Sequence, residues 1–180
     1  PNSLFVPLQG QTDGHDYIEQ AIQAGATAVL WGKQDVTPPD GICAIWVDDP
    51  LQAFQKLAKW YLEKVSPRIV GITGSSGKTT TKDMTAAALG ARYRVYKTQG
   101  NFNNDIGLPQ TILDMPKTTE ALVLEMGMSD FHEIEFLSKL ACPEVVAITL
   151  IGESHMEQLG SKEGIAKAKL EILSGLQENG

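Results

Sequence analysis

At 180 residues the chain has room for one domain or two small ones, on a rule of about 100–200 residues per domain. Its 42% hydrophobic and 21% charged residues exclude a disordered chain, a collagen-like repeat and a disulfide-dense mini-protein. The net charge of −7 is spread over both halves without the basic excess of a nucleic-acid binder, and no apolar run approaches the ~20 residues of a membrane helix.

Leu4, Phe5 and Val6 begin the chain as a short buried strand, followed by a turn-rich stretch over 9–16. Tyr17, Ile18, Ala21, Ile22 and Ala24 then form a helical stripe that Gly25 stops. Strands are expected over 28–31 and 44–47, with the Pro38, Pro39, Asp40 and Gly41 turn between them. Asp48 or Asp49 caps a helix that Pro50 opens, with Leu51, Phe54, Leu57, Ala58 and Tyr61 on one face. Ser66 and Pro67 mark the expected boundary, giving domains over 1–66 and 67–180.

From Arg68 the rhythm is that of strands alternating with helices. Strands are predicted over 68–73, 94–97, 121–126 and 145–151, and helices over 78–89, 109–113, 133–140 and 161–176. This pattern predicts an α/β fold, with a mostly parallel sheet covered on both faces. Ligands then sit beyond the carboxyl ends of the strands, where a glycine loop, Glu125 and His155 all fall.

Cys43 and Cys142 have no second Cys or clustered His nearby, which predicts two buried thiols in a reducing cytosol. No basic-then-apolar signal pattern opens the chain. It starts at Pro1 without an initiator Met and ends just past a helix, so both ends are expected to be cut from something longer.

The segment TGSSGKTT, residues 73–80, lies between a predicted strand and a predicted helix. Gly74, Ser75, Ser76 and Gly77 allow successive backbone N–H groups to converge on phosphate oxygens, and the helix N-terminus adds positive potential. Lys78 supplies a point charge to the β- and γ-phosphates, the Thr79 hydroxyl suits Mg²⁺, and Thr80 completes the loop. The general phosphate-loop spacing wants a glycine where Ile72 stands, while Gly71 is one place too early. Context favours an ATP site over an incidental glycine turn.

ITGSSGKTTTKDM (72–84), GNFNNDIGLP (100–109), LEMGMS (124–129), IGESHMEQLGS (151–161) and GIAKAKLEI (164–172) resemble the Mur ligases in order and spacing. That family uses the shorter TGxxGK loop, which accounts for Ile72. LFVPLQG followed by DGHDYI is similar to the family's amino-terminal, UDP-sugar-binding domain. The resemblance implies a partial UDP-sugar-binding domain followed by part of a P-loop ATPase domain, with the carboxy-terminal domain absent. Leu150 stands where the family usually has Asn, and Gln9 where a Lys is common.

The resemblance also implies the chemistry: an ADP-forming ligase that turns a carboxylate into an acyl phosphate for attack by an amine. The NFNND and GESHMEQLGS segments favour UDP-N-acetylmuramoyl-tripeptide and D-alanyl-D-alanine as substrates in peptidoglycan precursor synthesis. A cytoplasmic monomer using ATP and Mg²⁺ is expected, and residues 1–180 alone are expected to be inactive. Alternatives are a sister ligase, a folylpolyglutamate-synthetase-like enzyme, or a nucleotide-binding module without turnover.

By the same resemblance Thr79, Glu125 and His155 are expected metal ligands, and Asn103 or Asn104 orients the tripeptide or nucleotide. Glu125 ends an otherwise apolar strand, where a solvated surface role is out of place. His15 is either a substrate contact or loop packing, and His132 is a surface residue. Met126, Met128 and Phe131 read as packing, and Glu171 and Glu178 as a solvated face. In the last predicted helix Lys169 lies within the apolar stripe of Ile165, Ile172, Leu173 and Leu176, while Lys167 points to solvent. A buried amine has a lowered pKa or snorkels to water. The family's lysine at the matching place is carbamylated, which makes Lys169 a further expected metal ligand.

Overall fold

A computed structural model describes residues 2–152 and 159–180, and these divide into two compact units, Pro1–Leu57 and Ala58–Gly180. In the first unit, β1 (Ser3–Phe5), β2 (Ala26–Trp31) and β3 (Cys43–Trp46) pair in parallel in the order β1-β2-β3. Its core is Ile18, Val29 and Trp31, with Phe5, Ile22, Ile42 and Ala44 packed against them. Ile18 and Ile22 come from α1 (Ile18–Gln23), which starts at Ile18 because residues 14–17 form a 3₁₀ turn.

Helix α2 (Pro50–Val65) shows why the units do not divide at Ser66 and Pro67. Asp49 caps it: its Oδ1 accepts the Leu51 and Gln52 N–H groups at 2.8 and 3.1 Å. The later turns carry Ala58 and Leu62 into the core of the second unit, and the Tyr61 hydroxyl donates to the Met115 carbonyl at 2.8 Å. The division therefore falls inside the helix.

The second unit is built on four parallel strands in the order β5-β6-β4-β7: β4 (Arg68–Thr73), β5 (Val95–Lys97), β6 (Ala121–Glu125) and β7 (Val145–Ile148). Every residue of β6 is buried, as a central parallel strand covered on both faces requires. One face packs through Ile72 and Val123 against Ala86 of α3 (Lys78–Gly90). The main core joins α4 (Gly107–Asp114), α5 (Glu133–Ala141) and α6 (Lys162–Leu170) through Leu108, Ile112, Ile134, Leu137 and Ile165. Met126 and Met128 are buried there with Phe131 against them, as packing residues.

Three predicted features differ. Strand β7 stops at Ile148 because Thr149 turns its side chain to the glycine loop, donating its hydroxyl to the Ser76 carbonyl. The last helix changes to a 3₁₀ turn over Glu171–Gly175, where Gly175 approaches Ser138 so closely that a Cβ would stand 2.0 Å from its carbonyl oxygen. Tighter winding takes Leu173 out of the predicted stripe, and it is exposed. Both cysteines are exposed rather than buried: Cys43 opens edge strand β3, and Cys142 caps α5 in the left-handed conformation (φ 49°).

Candidate active site

The carboxyl ends of β4, β6 and β7 meet at one edge of the second sheet. Residues 74–77 leave β4 as the glycine loop, and Gly77 begins α3 at φ 81°, a conformation that costs glycine little. At Gly74 (φ 151°) a Cβ would lie 2.0 Å from Thr149 Oγ1, so the close approach also requires glycine. Ser75 donates its N–H to the Leu150 carbonyl at 2.7 Å, and its Oγ accepts the Gly152 N–H at 2.9 Å. Leu150 acts through its backbone and exposes its side chain.

Lys78 folds back on the loop and donates from Nζ to the Gly74 carbonyl at 2.9 Å. One residue on, the Thr79 hydroxyl donates to Glu125 Oε2 at 3.0 Å. The other oxygen, Oε1, accepts Asn103 Nδ2–H at 2.9 Å. Glu125 is 3% exposed, and its backbone N–H is taken by Thr98 Oγ1 at 3.0 Å. Its carboxylate is thus clamped between the start of α3 and the asparagine loop.

The two asparagines do different work. Asn103 also accepts the Gly127 N–H on its carbonyl, which ties the loop to the segment after β6. Asn104 instead serves its own turn: its Oδ1 accepts the N–H groups of Ile106 and Gly107 at 3.3 and 2.8 Å. That bonding starts α4 at Gly107, two residues before the predicted Pro109. Thr80 begins α3 beside Thr79 and is exposed.

Lys169 is 2% exposed, and its amine is lowered to about 8, first by burial and then by the nearby Lys78 charge. No carboxylate among the described residues pairs with it. Lys167 is exposed, as expected. His155 lies outside the described residues.

Thr79 and Glu125 offer hydroxyl and carboxylate oxygens, the donor chemistry of Mg²⁺. Among the described residues no group of three or more His, Cys, Asp or Glu could hold a metal. A Mg²⁺ here would complete its shell with water and phosphate oxygens, its usual habit.

In the first unit, His15 is buried with both ring nitrogens engaged. Nε2 accepts the Gly32 N–H at 3.2 Å, which leaves Nδ1–H to donate to Asp13 at 2.7 Å. The Asp13 carboxyl is held well below the usual range by the His15 backbone N–H, then by Lys33 and the His15 ring. Loop packing accounts for His15 without a substrate.

Thr98 and Thr149 were not legible as site neighbours. Thr98 and Thr149 follow apolar strands at the ligand-binding edge, a positional signal that could have found them. Glu171 is 13% exposed at its side chain and bonds to His132 rather than lying on a solvated face, whereas Glu178 is exposed.

The family model described as Mur ligase middle domain matches residues 72–180. The UDP-N-acetylmuramoyl-tripeptide–D-alanyl-D-alanine ligase of Bacillus subtilis is 58% identical over 180 residues, covering 99% of this chain and 39% of the relative. Among solved structures, MurF from Acinetobacter baumannii superposes with a TM-score of 0.91 at 32% identity, over 99% of this chain and 39% of that one. MurF ligase from Thermotoga maritima in complex with ADP gives 0.88 at 38% identity, over 98% and 41%. The chain therefore spans about two fifths of the length of these relatives.

Proposed function

The chain belongs to the Mur ligase family, and on that premise we propose that it forms the nucleotide-binding part of an ATP-dependent ligase joining D-alanyl-D-alanine to UDP-N-acetylmuramoyl-tripeptide. The observation that carries this reading is the Glu125 carboxylate clamped by Thr79 and Asn103 at the mouth of the glycine loop. The first unit is read as the UDP-sugar-binding part of the same cytoplasmic, monomeric enzyme. Among the described residues no helix is long and apolar enough to cross a membrane.

In this reading the loop N–H groups receive the β- and γ-phosphates of ATP. Lys78 exchanges the Gly74 carbonyl for phosphate oxygens, reducing repulsion between the nucleotide and the incoming carboxylate. An oxygen of the tripeptide's terminal carboxylate attacks the γ-phosphorus, and the bond to ADP breaks. The amine of D-alanyl-D-alanine then attacks the acyl carbon, inorganic phosphate leaves and the amine's proton is released. Asn103 keeps the Glu125 carboxylate aimed at the nucleotide throughout. Thr79 and Glu125 would hold Mg²⁺, which would supply neutralisation of phosphate charge.

Lys169 fits a second anionic group in the site. Its neutral amine adds carbon dioxide, losing one proton, to give a carbamate. The repulsion from Lys78 then becomes an attraction, and the carbamate adds two oxygens to the site. His155 is the proposed co-ligand.

The test is a ligation assay on the whole protein with ATP, Mg²⁺, UDP-tripeptide and D-alanyl-D-alanine, reading phosphate release and adduct mass. Phosphate release should require the tripeptide. Lys78→Ala should lower turnover by on the order of 10²-fold or more at saturating ATP, with thermal stability preserved. Full turnover in that variant, or tripeptide-independent phosphate release, would refute the assignment.

A further inference from the structure

Helix α6 ends at Leu170, and Lys169 lies buried in its last turn. Ile165 and Ala168 on this helix and Ile172 in the 3₁₀ turn after it are buried in the main core, but apolar packing alone tolerates rotation and sliding. Polar bonds fix the end of the helix. Ser138 Oγ accepts the Gly175 N–H at 3.1 Å and donates to the Ile172 carbonyl. Two residues after Lys169, Glu171 reaches across to α5, and both carboxylate oxygens accept the His132 N–H, at 3.0 and 2.8 Å.

His132 closes the segment that runs from Glu125 at the end of β6 to the start of α5. It holds a left-handed backbone (φ 68°) that is unusual for a residue with a Cβ. Its N–H stands at the N-terminus of α5, where a carboxylate is favoured by the helix dipole. The segment is drawn in further by Ser129, whose N–H donates to Glu133 Oε2 at 2.6 Å. Glu171 therefore ties the helix bearing Lys169 to the segment bearing Glu125.

We infer that Glu171 is a positioning residue: by accepting the His132 N–H it sets where the Lys169 amine stands relative to Glu125 and the glycine loop. The inference rests on the carbamate reading of Lys169. It acts by placement, because its contact is with the His132 backbone N–H. An uncharged acceptor of the same shape should serve.

The experiment compares the whole protein with Glu171→Ala and Glu171→Gln, using ¹³C-bicarbonate and a carbamate resonance assigned by its loss in Lys169→Met. Glu171→Ala should lower carbamate occupancy at limiting bicarbonate and reduce kcat about tenfold with KM for ATP unchanged. Glu171→Gln should restore both, and the melting temperatures show whether each variant is folded. Equal occupancy and kcat in Glu171→Ala overturn the positioning role. Failure of Glu171→Gln to restore them also overturns it, since the loss would then follow the charge. A parent protein with no carbamate resonance at saturating bicarbonate overturns the Lys169 reading itself, a distinguishable result.

Discussion

The residue that departs most from its ordinary chemistry is Lys169. Its amine is lowered from 10.5 to about 8, by burial first and Lys78 second. Below about pH 8 the amine is protonated in both folded and unfolded chains, so the fold carries the full cost of a buried cation. Between about 8 and 10.5 the folded chain releases this proton while the unfolded chain still holds it. The unfolded state then binds more protons, so stability rises with pH. In carbon dioxide-free buffer, the stability advantage of Lys169→Met over the parent should be largest below pH 8 and shrink towards pH 10.5. Denaturant titrations at a series of pH values measure it, and an advantage that grew with pH would contradict the burial of the amine. The same depression makes the neutral, carbon dioxide-reactive form accessible near neutral pH, linking the stability term to the proposed chemistry.

At the scale of the element, the asparagine loop separates two jobs that its composition leaves mixed. Asn103 holds Glu125, whereas Asn104 holds the turn that opens α4. Asn104→Ala should therefore cost about 1 kcal/mol of stability, the scale of a lost helix-start bond. Asn103→Ala should lower ligation, because it leaves one oxygen of the buried Glu125 carboxylate without its donor. Melting curves and turnover of the two variants check this, and a reversed pattern would reassign them. From sequence, the loop was legible as a site element only through the family resemblance, and NFNND carries no signal saying which side chain turns inward. The apolar pattern revealed β4 and β6 as runs whose inner residues are buried. It overran at β7 and α6, where Thr149 bonds to the loop and Gly175 closes on Ser138. Those endings depend on partners distant in sequence. Glu171 was misread for the same reason: its acceptor role depends on His132, 39 positions away along the chain.

On the scale of the whole molecule, two cores divide the labour. Val29 is fully buried in the small core with Ile18 and Trp31, all within Pro1–Leu57. Ile72 is fully buried beneath α3, directly before the glycine loop, within Ala58–Gly180. Truncating either removes packed methyl groups and leaves a cavity: roughly 2 kcal/mol for Val29→Ala and about 2–5 kcal/mol for Ile72→Ala. The costs fall on different units and should have different functional consequences. Val29→Ala should loosen the first unit, seen as faster amide exchange across β1 to β3, while ADP affinity stays at the parent value. Ile72→Ala should weaken ADP binding, because it removes the packing that fixes the strand end from which residues 74–77 depart. Calorimetric titration with ADP and Mg²⁺, paired with hydrogen exchange, separates the two outcomes. A loss of ADP affinity in Val29→Ala as large as that in Ile72→Ala would show that the glycine loop depends on both cores, against the division read from their packing.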